Sequence, residues 1–403
     1  NIARRFCKAI QEITFAFGFG GTLMKIISLF NNKGGVGKST LSYHLGCALG
    51  VMGKRVLFVD LDPQCNLTGV SMGLVSAPPS DDFAEGADDQ GADDREYSAI
   101  QQEMQDFFSG EVDKTLYGAL RPAFESEPKV LEPVDCVPVE GCPNLYLLPG
   151  HIPLGEYEVQ LSVAQELSGS LLALRNIPGA LHYLLRITAE KLEADYVLVD
   201  MSPSLGSMNQ NIVATSDLVF VPTSPDFYTI MALRSLARVL PNWYRWAKTA
   251  NENETLRSAT YAFPKPKMKL AGLVIQRYRL YRAPTEDNPY GDPTGPFMEW
   301  IDRVSDAIRM EFAPKLSAAG LLLPASAYDQ AGVSENLVLG RIQEFNSLLP
   351  KSQEFRVPVF ELTAAELNQS GIVLENSIRQ IESLRRIFEG VASKLVSLAD
   401  FED

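Results

Sequence analysis

The chain has few of the residues that build metal and disulfide sites. Its 403 residues include three scattered histidines, at positions 44, 151 and 182, and five cysteines without any C-x-x-C pair. An odd number of cysteines argues against a disulfide framework, and the separation of Cys136 from Cys142 argues against a close ligand pair for zinc or an iron–sulfur cluster. We therefore expect buried, inert thiols and a reducing, cytoplasmic environment.

Long apolar runs are also missing. No stretch approaches 18 consecutive apolar residues, so no membrane-spanning helix is predicted. Basic residues do precede a shorter apolar stretch within residues 1–23, in a pattern that superficially resembles a signal peptide. Because Met24 begins the first predicted strand, MKIISLF, we interpret residues 1–23 as an upstream extension or a mis-assigned start.

Positive charge is scarce. The chain has 36 lysines and arginines against 50 aspartates and glutamates, which gives a net charge of −14. Eight of the acids lie between Asp81 and Glu96 with a single arginine, and this composition predicts a disordered or mobile insertion, placed at about residues 76–114. The acidic total weakens the case for a nucleic-acid partner without excluding one, because such binding depends on local patches.

Continuous apolar runs bounded by turn residues recur along the chain, with helical patterns between most of them. Uninterrupted hydrophobicity of this kind is typical of strands buried on both faces of a parallel sheet. The expected fold class is therefore α/β, a doubly wound, mostly parallel sheet flanked by helices, in one domain over residues 24–403. Helices are also predicted at 227–246 and 298–312. The predicted strands are residues 25–30, 55–61, 144–148, 196–200, 217–222 and 270–275.

Residues 33–40, KGGVGKST, separate the first predicted strand from a helical pattern. The glycines let backbone N–H groups turn inward around an anion, and the start of the helix adds a favourable dipole. Lys38 supplies a positive charge for the outer phosphates, and the Ser39 hydroxyl suits Mg²⁺. We expect a nucleotide triphosphate to be bound here by Lys33, Gly34, Gly35, Val36, Gly37, Lys38, Ser39 and Thr40.

Two further motifs place carboxylates after buried strands. VLFVDLDPQ contains Asp60 and Asp62, which point the same way because side chains alternate along a strand. YVLVDMSPS contains Asp200. In open α/β sheets, ligands bind at the carboxyl ends of the strands, so all three carboxylates are expected beside the glycine loop.

The glycine loop departs from the pattern G-x-x-x-x-G-K-[ST], because Asn32 occupies the first glycine position and Lys33 lies inside the loop. A lysine five residues before Lys38 cannot easily reach its own phosphates from the same side, which indicates a nucleotide held by another subunit. These motifs resemble those of the ParA/MinD family of deviant P-loop ATPases, closest to Soj-like partition proteins. The resemblance covers residues 24–75 and most of 115–398.

The resemblance implies a P-loop NTPase fold and a Mg-dependent ATPase that dimerises around two ATP molecules. Lys33 would then reach the partner subunit's nucleotide, Lys38 would act on its own nucleotide, and Asp62 would position the attacking water. In phosphoryl transfer such cations and positioning groups supply most of the catalysis. The resemblance assigns Mg²⁺ to Ser39, Asp60 and Asp200.

The strongest basic cluster is RYRLYR, which begins at Arg277. Interleaved arginine and tyrosine can hold a phosphate backbone and stack on bases. By resemblance, the family contacts adenine at this position through an asparagine, which is replaced here by Gln276 with the same donor and acceptor groups. Three interpretations stay open, namely a nucleotide lid formed with Gln276 and Arg277, a DNA contact through Arg279 and Arg282, or a plain surface loop.

The apolar stripe from Leu374 to Leu398 predicts a C-terminal helix that packs on the core. Membrane binding of the MinD kind resembles a short basic amphipathic helix, whereas this sequence finishes with the acidic ADFED, which anionic lipid would repel. No membrane partner is therefore expected.

The expected function is a ParA-type ATPase in the cytoplasm, either free or associated with the nucleoid. Its expected partners are a second copy with ATP, nonspecific DNA, and a ParB-like or other protein that stimulates hydrolysis. The alternatives are a MinD-like positioning ATPase or an ATP-dependent metabolic ligase of the cobyrinate or dethiobiotin type. A nitrogenase-reductase type carrier would need paired cysteines flanking the dimer axis, which the cysteine spacing does not provide.

Overall fold

The computed structural model describes most of the chain that carries the predicted motifs. Residues 1–23 and the acidic stretch lie outside the described residues, so the interpretations given for them stay predictions. The described ranges are 24–74, 106–167, 171–285, 288–333 and 335–401.

The centre of the fold is a sheet of eight strands. The strands of the described residues are β1 Lys25–Leu29, β2 Val56–Asp60, β3 Val137–Pro138, β4 Leu145–Leu148, β5 Tyr196–Asp200, β6 Leu218–Thr223, β7 Lys269–Tyr278, β8 Leu280–Arg282, β9 Asp292–Pro293 and β10 Val338–Gln343. The sheet order is β10-β7-β6-β1-β5-β2-β4-β3, and all pairs are parallel except β3 with β4. The predicted fold class and all six predicted strands are confirmed.

Helices cover the sheet. Every residue of β2, β5 and β6 is buried, which requires packing on both faces of these central strands. The two helices predicted from residues 227 and 298 are present. The α-helices are α1 Lys38–Val51, α2 Asn66–Ser71, α3 Leu116–Phe124, α4 Leu154–Leu167, α5 Ile177–Leu192, α6 Ser207–Thr215, α7 Phe227–Glu252, α8 Glu254–Arg257, α9 Gly295–Ala307, α10 Ala313–Ala318, α11 Ala325–Gln330, α12 Leu348–Phe355, α13 Ala364–Leu367 and α14 Gly371–Ala399, with a π-helical turn at Ile308–Phe312.

The C-terminal helix α14 packs on the core, as its apolar stripe predicts. It lies against α1 and β10, and it buries Leu384, Phe388, Val391 and Leu395. Burying side chains of this size contributes roughly 1.5–3 kcal/mol each, which holds the helix to the body of the domain. In the ranges that the structure describes, no helix is long and apolar enough to cross a bilayer.

A disulfide links Cys47 in α1 to Cys142 in the segment before β4, with the two Cα atoms 5.1 Å apart. The prediction of inert thiols is therefore wrong for these two cysteines, whereas Cys65 and Cys136 are free. The partners are 95 residues apart in sequence, and only the sheet order, which places β2 next to β4, brings them together. The bond ties the helix of the glycine loop to the neighbouring strand.

Candidate nucleotide-binding site

The glycine loop joins β1 to α1 at the carboxyl edge of the sheet. Gly35 and Gly37 have φ angles of 70° and 78°, in the left-handed region that favours glycine. Gly37 is also the residue that precedes α1, and a Cβ atom there would lie 3.4 Å from Nε2 of Gln276. The loop geometry therefore depends on these two glycines, and the exposed Gly34 and Gly35 leave the loop open to a ligand.

Lys38 lies inside this loop. Its Nζ atom is 3.3 Å from the carbonyl oxygens of both Asn31 and Lys33, to which it donates. Burial lowers the pKa of Lys38, while the negative charges of Asp200 and Asp62 act in the opposite direction. The ammonium is thus a partly desolvated cation surrounded by the loop, which is where the phosphates of a P-loop ligand would need it.

Asp60 and Asp200 lie side by side, because the two residues are partners in the register of β2 and β5. Both carboxylates are completely buried. Burial raises the pKa of each, and the neighbouring negative charge of Asp200 adds to the effect at Asp60. A divalent cation at this edge of the sheet would relieve the repulsion between them.

Asp200 is the better placed of the two carboxylates for Mg²⁺. Its Oδ1 atom accepts a hydrogen bond from Ser42 Oγ at 3.0 Å, and the nearby Ser39 hydroxyl lowers the pKa of this carboxyl. Its Oδ2 atom is buried and has no hydrogen-bond partner in the described part of the chain. An unpartnered buried carboxylate oxygen beside a P-loop serine fits the donor set of a magnesium site.

Asp60 is occupied by contacts within its own segment. Its Oδ2 atom accepts from Thr68 N at 2.8 Å and from Thr68 Oγ1 at 2.7 Å, and its Oδ1 atom accepts from Asp62 N at 3.2 Å. These bonds hold the loop between β2 and α2. The role of Asp60 in the metal shell stays a prediction, and its contacts favour support of this loop.

Asp62 follows β2 and is nearly buried. Its Oδ1 atom accepts a hydrogen bond from Gln64 N at 3.0 Å. Its charge acts on the Lys38 ammonium, so the carboxylate lies near the loop. This position is compatible with orienting a water at the phosphates.

The Lys33 side chain points away from the glycine loop and makes its contacts at the start of α7. Its Nζ atom donates to Ser224 Oγ at 2.7 Å and to Thr229 Oγ1 at 3.3 Å, and it forms an ion pair with Asp226. Asp226 is also the N-cap of α7, because its Oδ1 atom accepts from Thr229 N at 2.9 Å. The two lysines of one loop therefore have different surroundings.

Gln276 and Arg277 contact the glycine loop, which favours the lid interpretation for these two residues. The Gln276 amide donates to the carbonyl oxygens of Val36 and Gly37, and the Arg277 guanidinium donates to Gly35 O. Arg277 has a φ of 64°, which is uncommon for a residue other than glycine. The last residues of β7 thus bring both side chains over the loop.

Arg279 and Arg282 lie farther along the same segment and do not contact the loop. Their side chains are 72% and 73% exposed, and they pair with Glu344 at 2.9 Å and with Asp292 at 3.9 Å. Exposed pairs of this kind contribute little to stability, so both arginines are accessible to another anion.

Several contact residues of the site were absent from the sequence interpretation. Ser42 lies three positions after Ser39, on the adjacent turn of α1, and its helical spacing could have indicated it. Thr68 lies only eight residues after Asp60, but no pattern marks it. Ser224 and Asp226 reach the site through long-range packing, and no local pattern marks them.

Comparison with known proteins identifies the family of this chain. A family model described as an AAA domain matches residues 24–253, which is more than half of the chain. The sporulation initiation inhibitor protein Soj of Bacillus subtilis is 29% identical over 212 residues, covering 53% of this chain and 63% of Soj. The chromosome partitioning protein ParA of Caulobacter vibrioides is 26% identical over 260 residues, covering 63% of this chain and 70% of ParA.

A solved structure agrees in fold. Protein DIP2308 from Corynebacterium diphtheriae superposes with a TM-score of 0.53 at 22% identity, covering 83% of this chain and 97% of that chain. The chain spans less than two thirds of the length of Soj. The chain belongs to the AAA-domain family that this model describes, among the ParA/MinD-type ATPases.

Proposed function

We propose that the chain binds and hydrolyses Mg-ATP, and that two copies assemble around two nucleotides in order to position DNA or another cargo. The observation that carries the proposal is the separation of the two lysines of the glycine loop. Lys38 is buried within its own loop, whereas Lys33 is held at the start of α7 by Ser224 and Asp226. A lysine whose side chain turns away from its own loop could reach the nucleotide of a second copy once its contact with Asp226 breaks.

The residues around the loop support phosphoryl transfer to water. The loop N–H groups and Lys38 would hold the phosphates, and Ser39 and Asp200 would hold Mg²⁺. The bound metal would neutralise charge on the phosphate oxygens. Asp62 would orient a water, because positioning and charge stabilisation supply most of the rate in this reaction class. Gln276 and Arg277 would close over the nucleotide from the end of β7.

The proposed cargo and partners follow from the relatives. Soj and ParA are named for sporulation control and chromosome partitioning, and this supports a positioning role for the present chain. We include in the proposal nonspecific DNA, bound through Arg279 and Arg282, and a ParB-like or other protein that stimulates hydrolysis.

Two alanine variants test the proposal. Lys38→Ala should remove ATP binding measured by calorimetry, because it deletes the charge inside the loop. Lys33→Ala should leave ATP binding by the monomer nearly intact but abolish the ATP-dependent dimer measured by light scattering. Lys315→Ala, at an exposed position in α10, is the matched control and should retain both properties. Unchanged ATP affinity in Lys38→Ala, or normal dimers in Lys33→Ala, would contradict the corresponding assignment.

A further inference from the structure

A second cavity lies away from the glycine loop, at the edge of the sheet formed by β7 and β10. Its volume is about 360 Å³, within the range of small-molecule sites in proteins. Residues of β7, β10, α9 and α14 and of the loops that precede α9 and β10 line it. None of these lining residues belongs to the nucleotide site described above.

Two cations line this cavity without a carboxylate partner. The Arg341 guanidinium lies over the Tyr290 ring, 5.1 Å from its centroid, and makes no hydrogen bond or ion pair within the described residues. The Lys394 ammonium donates to the carbonyl oxygen of Leu339 at 2.9 Å and forms no ion pair in the same ranges. Both side chains are half-buried. In a chain with a net charge of −14, two cations that line one cavity without an ion pair are unusual.

A bound anion would balance the positive charges of Arg341 and Lys394. Burial lowers the pKa of Lys394, so a negative group beside it would stabilise the charged ammonium. The planar Arg341 guanidinium suits two oxygens of one phosphate or carboxylate. The Tyr290 hydroxyl also lines the cavity and has no hydrogen-bond partner in the described chain.

The lining also includes Asp302, an exposed carboxylate of α9, and three apolar side chains, Ile275, Ile301 and Val338. We propose that this cavity binds a small organic anion, a phosphate or a carboxylate, with its charged group at Arg341 and Lys394 and its apolar body against these three side chains. An inorganic ion would leave these apolar side chains uncovered and most of the volume empty. The proposal does not depend on the function of the glycine loop.

Fluorescence titration of the full chain with 1-naphthyl phosphate and with 1-naphthoate tests the proposal. Saturating Mg-ADP is present throughout, in order to occupy the nucleotide site. We expect saturable binding of at least one probe, and the preferred probe distinguishes a phosphate from a carboxylate ligand. Arg341→Gln and Lys394→Gln should each weaken this binding at least tenfold. The control Arg309→Gln removes an exposed arginine of the adjacent π-helical turn and should bind as the wild type does.

A blocking variant keeps the test independent of folding defects in the charge variants. Ser305→Phe fills the cavity from α9 and retains both cations, and it should also weaken binding at least tenfold. The melting temperature of each variant is measured alongside. Binding of neither probe to the wild type, binding of inorganic phosphate alone, or equal affinity in Arg341→Gln, Lys394→Gln and Ser305→Phe would overturn the proposal.

Discussion

Lys33 and Asp226 form an ion pair within one chain, although 193 residues separate them in sequence. The contact joins the glycine loop to the first residue before α7. Because the Lys33 side chain cannot hold Asp226 and reach the nucleotide of a second copy at the same time, the ion pair competes with the proposed dimer. The monomer therefore has a contact that must break before Lys33 can act across an interface.

We expect Asp226→Asn to strengthen the ATP-dependent dimer. The asparagine oxygen can still cap α7, but it loses the charge that holds Lys33. A half-exposed ion pair is worth about 1 kcal/mol or less, and two such pairs break per dimer, so the dimer dissociation constant should fall by about fivefold to thirtyfold. Analytical ultracentrifugation with ATP measures this change.

The matched control for that variant is Asp329→Asn, at an exposed position in α11. It changes the net charge by the same amount and should leave dimerisation unaltered. A weaker dimer in Asp226→Asn would mean that Asp226 supports the assembled state instead of competing with it.

Asp62→Ala should slow ATP hydrolysis by at least about 100-fold, because a water-positioning group is lost while Lys38 and Ser39 remain. ATP binding should persist, and the dimer should last longer after mixing with ATP. Phosphate release and light scattering record the two effects. If the variant fails to bind ATP, Asp62 supports the loop and does not position water.

Replacing Arg279 and Arg282 together with glutamate should abolish ATP-dependent retention on random duplex DNA while ATP affinity stays unchanged. A dimer presents the two arginines twice, and each neutralised phosphate adds about 0.9 to the slope of log affinity against log salt. Glu344→Gln should strengthen binding, because it frees Arg279 from its acidic partner. The absence of DNA retention by the wild type with ATP, even at low salt, would remove DNA from the proposal.

Acid should destabilise the fold through His44, which lies fully buried among Phe345, Phe360 and Phe388. Burial lowers the pKa of His44 to about 4, against about 6.5 in the unfolded chain. The unfolded state therefore binds the proton more readily, and stability is complete above pH 6.5 and falls as the pH drops towards 4.

From pH 7 to pH 5, this residue should cost about 2 kcal/mol of the free energy of unfolding measured in urea. In the variant His44→Gln the side chain cannot titrate. Its free energy of unfolding should therefore fall by about 2 kcal/mol less than that of the wild type between pH 7 and pH 5. Equal losses in the two proteins would show that His44 does not control the acid response.

The sequence predicted the central strands well because each is an uninterrupted apolar run, as in VLFVD and YVLVD. The edge strand β10 was not predicted, because Gly340 and Arg341 interrupt its apolar pattern. The glycine loop and Asp200 could be placed from local motifs. The Lys33–Asp226 pair could not, since it depends on how β1 and β6 pack as neighbours in the sheet.

The bond between Cys47 and Cys142, which are 95 residues apart in sequence, closes the chain between them into a covalent ring. A ring of this size lowers the conformational entropy of the unfolded chain. By that effect alone, it stabilises the folded state by about 4–5 kcal/mol. A single backbone cut anywhere inside it would leave one connected molecule until a thiol reductant is added, so the fragments would separate on a gel only after reduction. The integrity of the segment that carries Asp60 and Asp62 is thereby coupled to the thiol state of its surroundings.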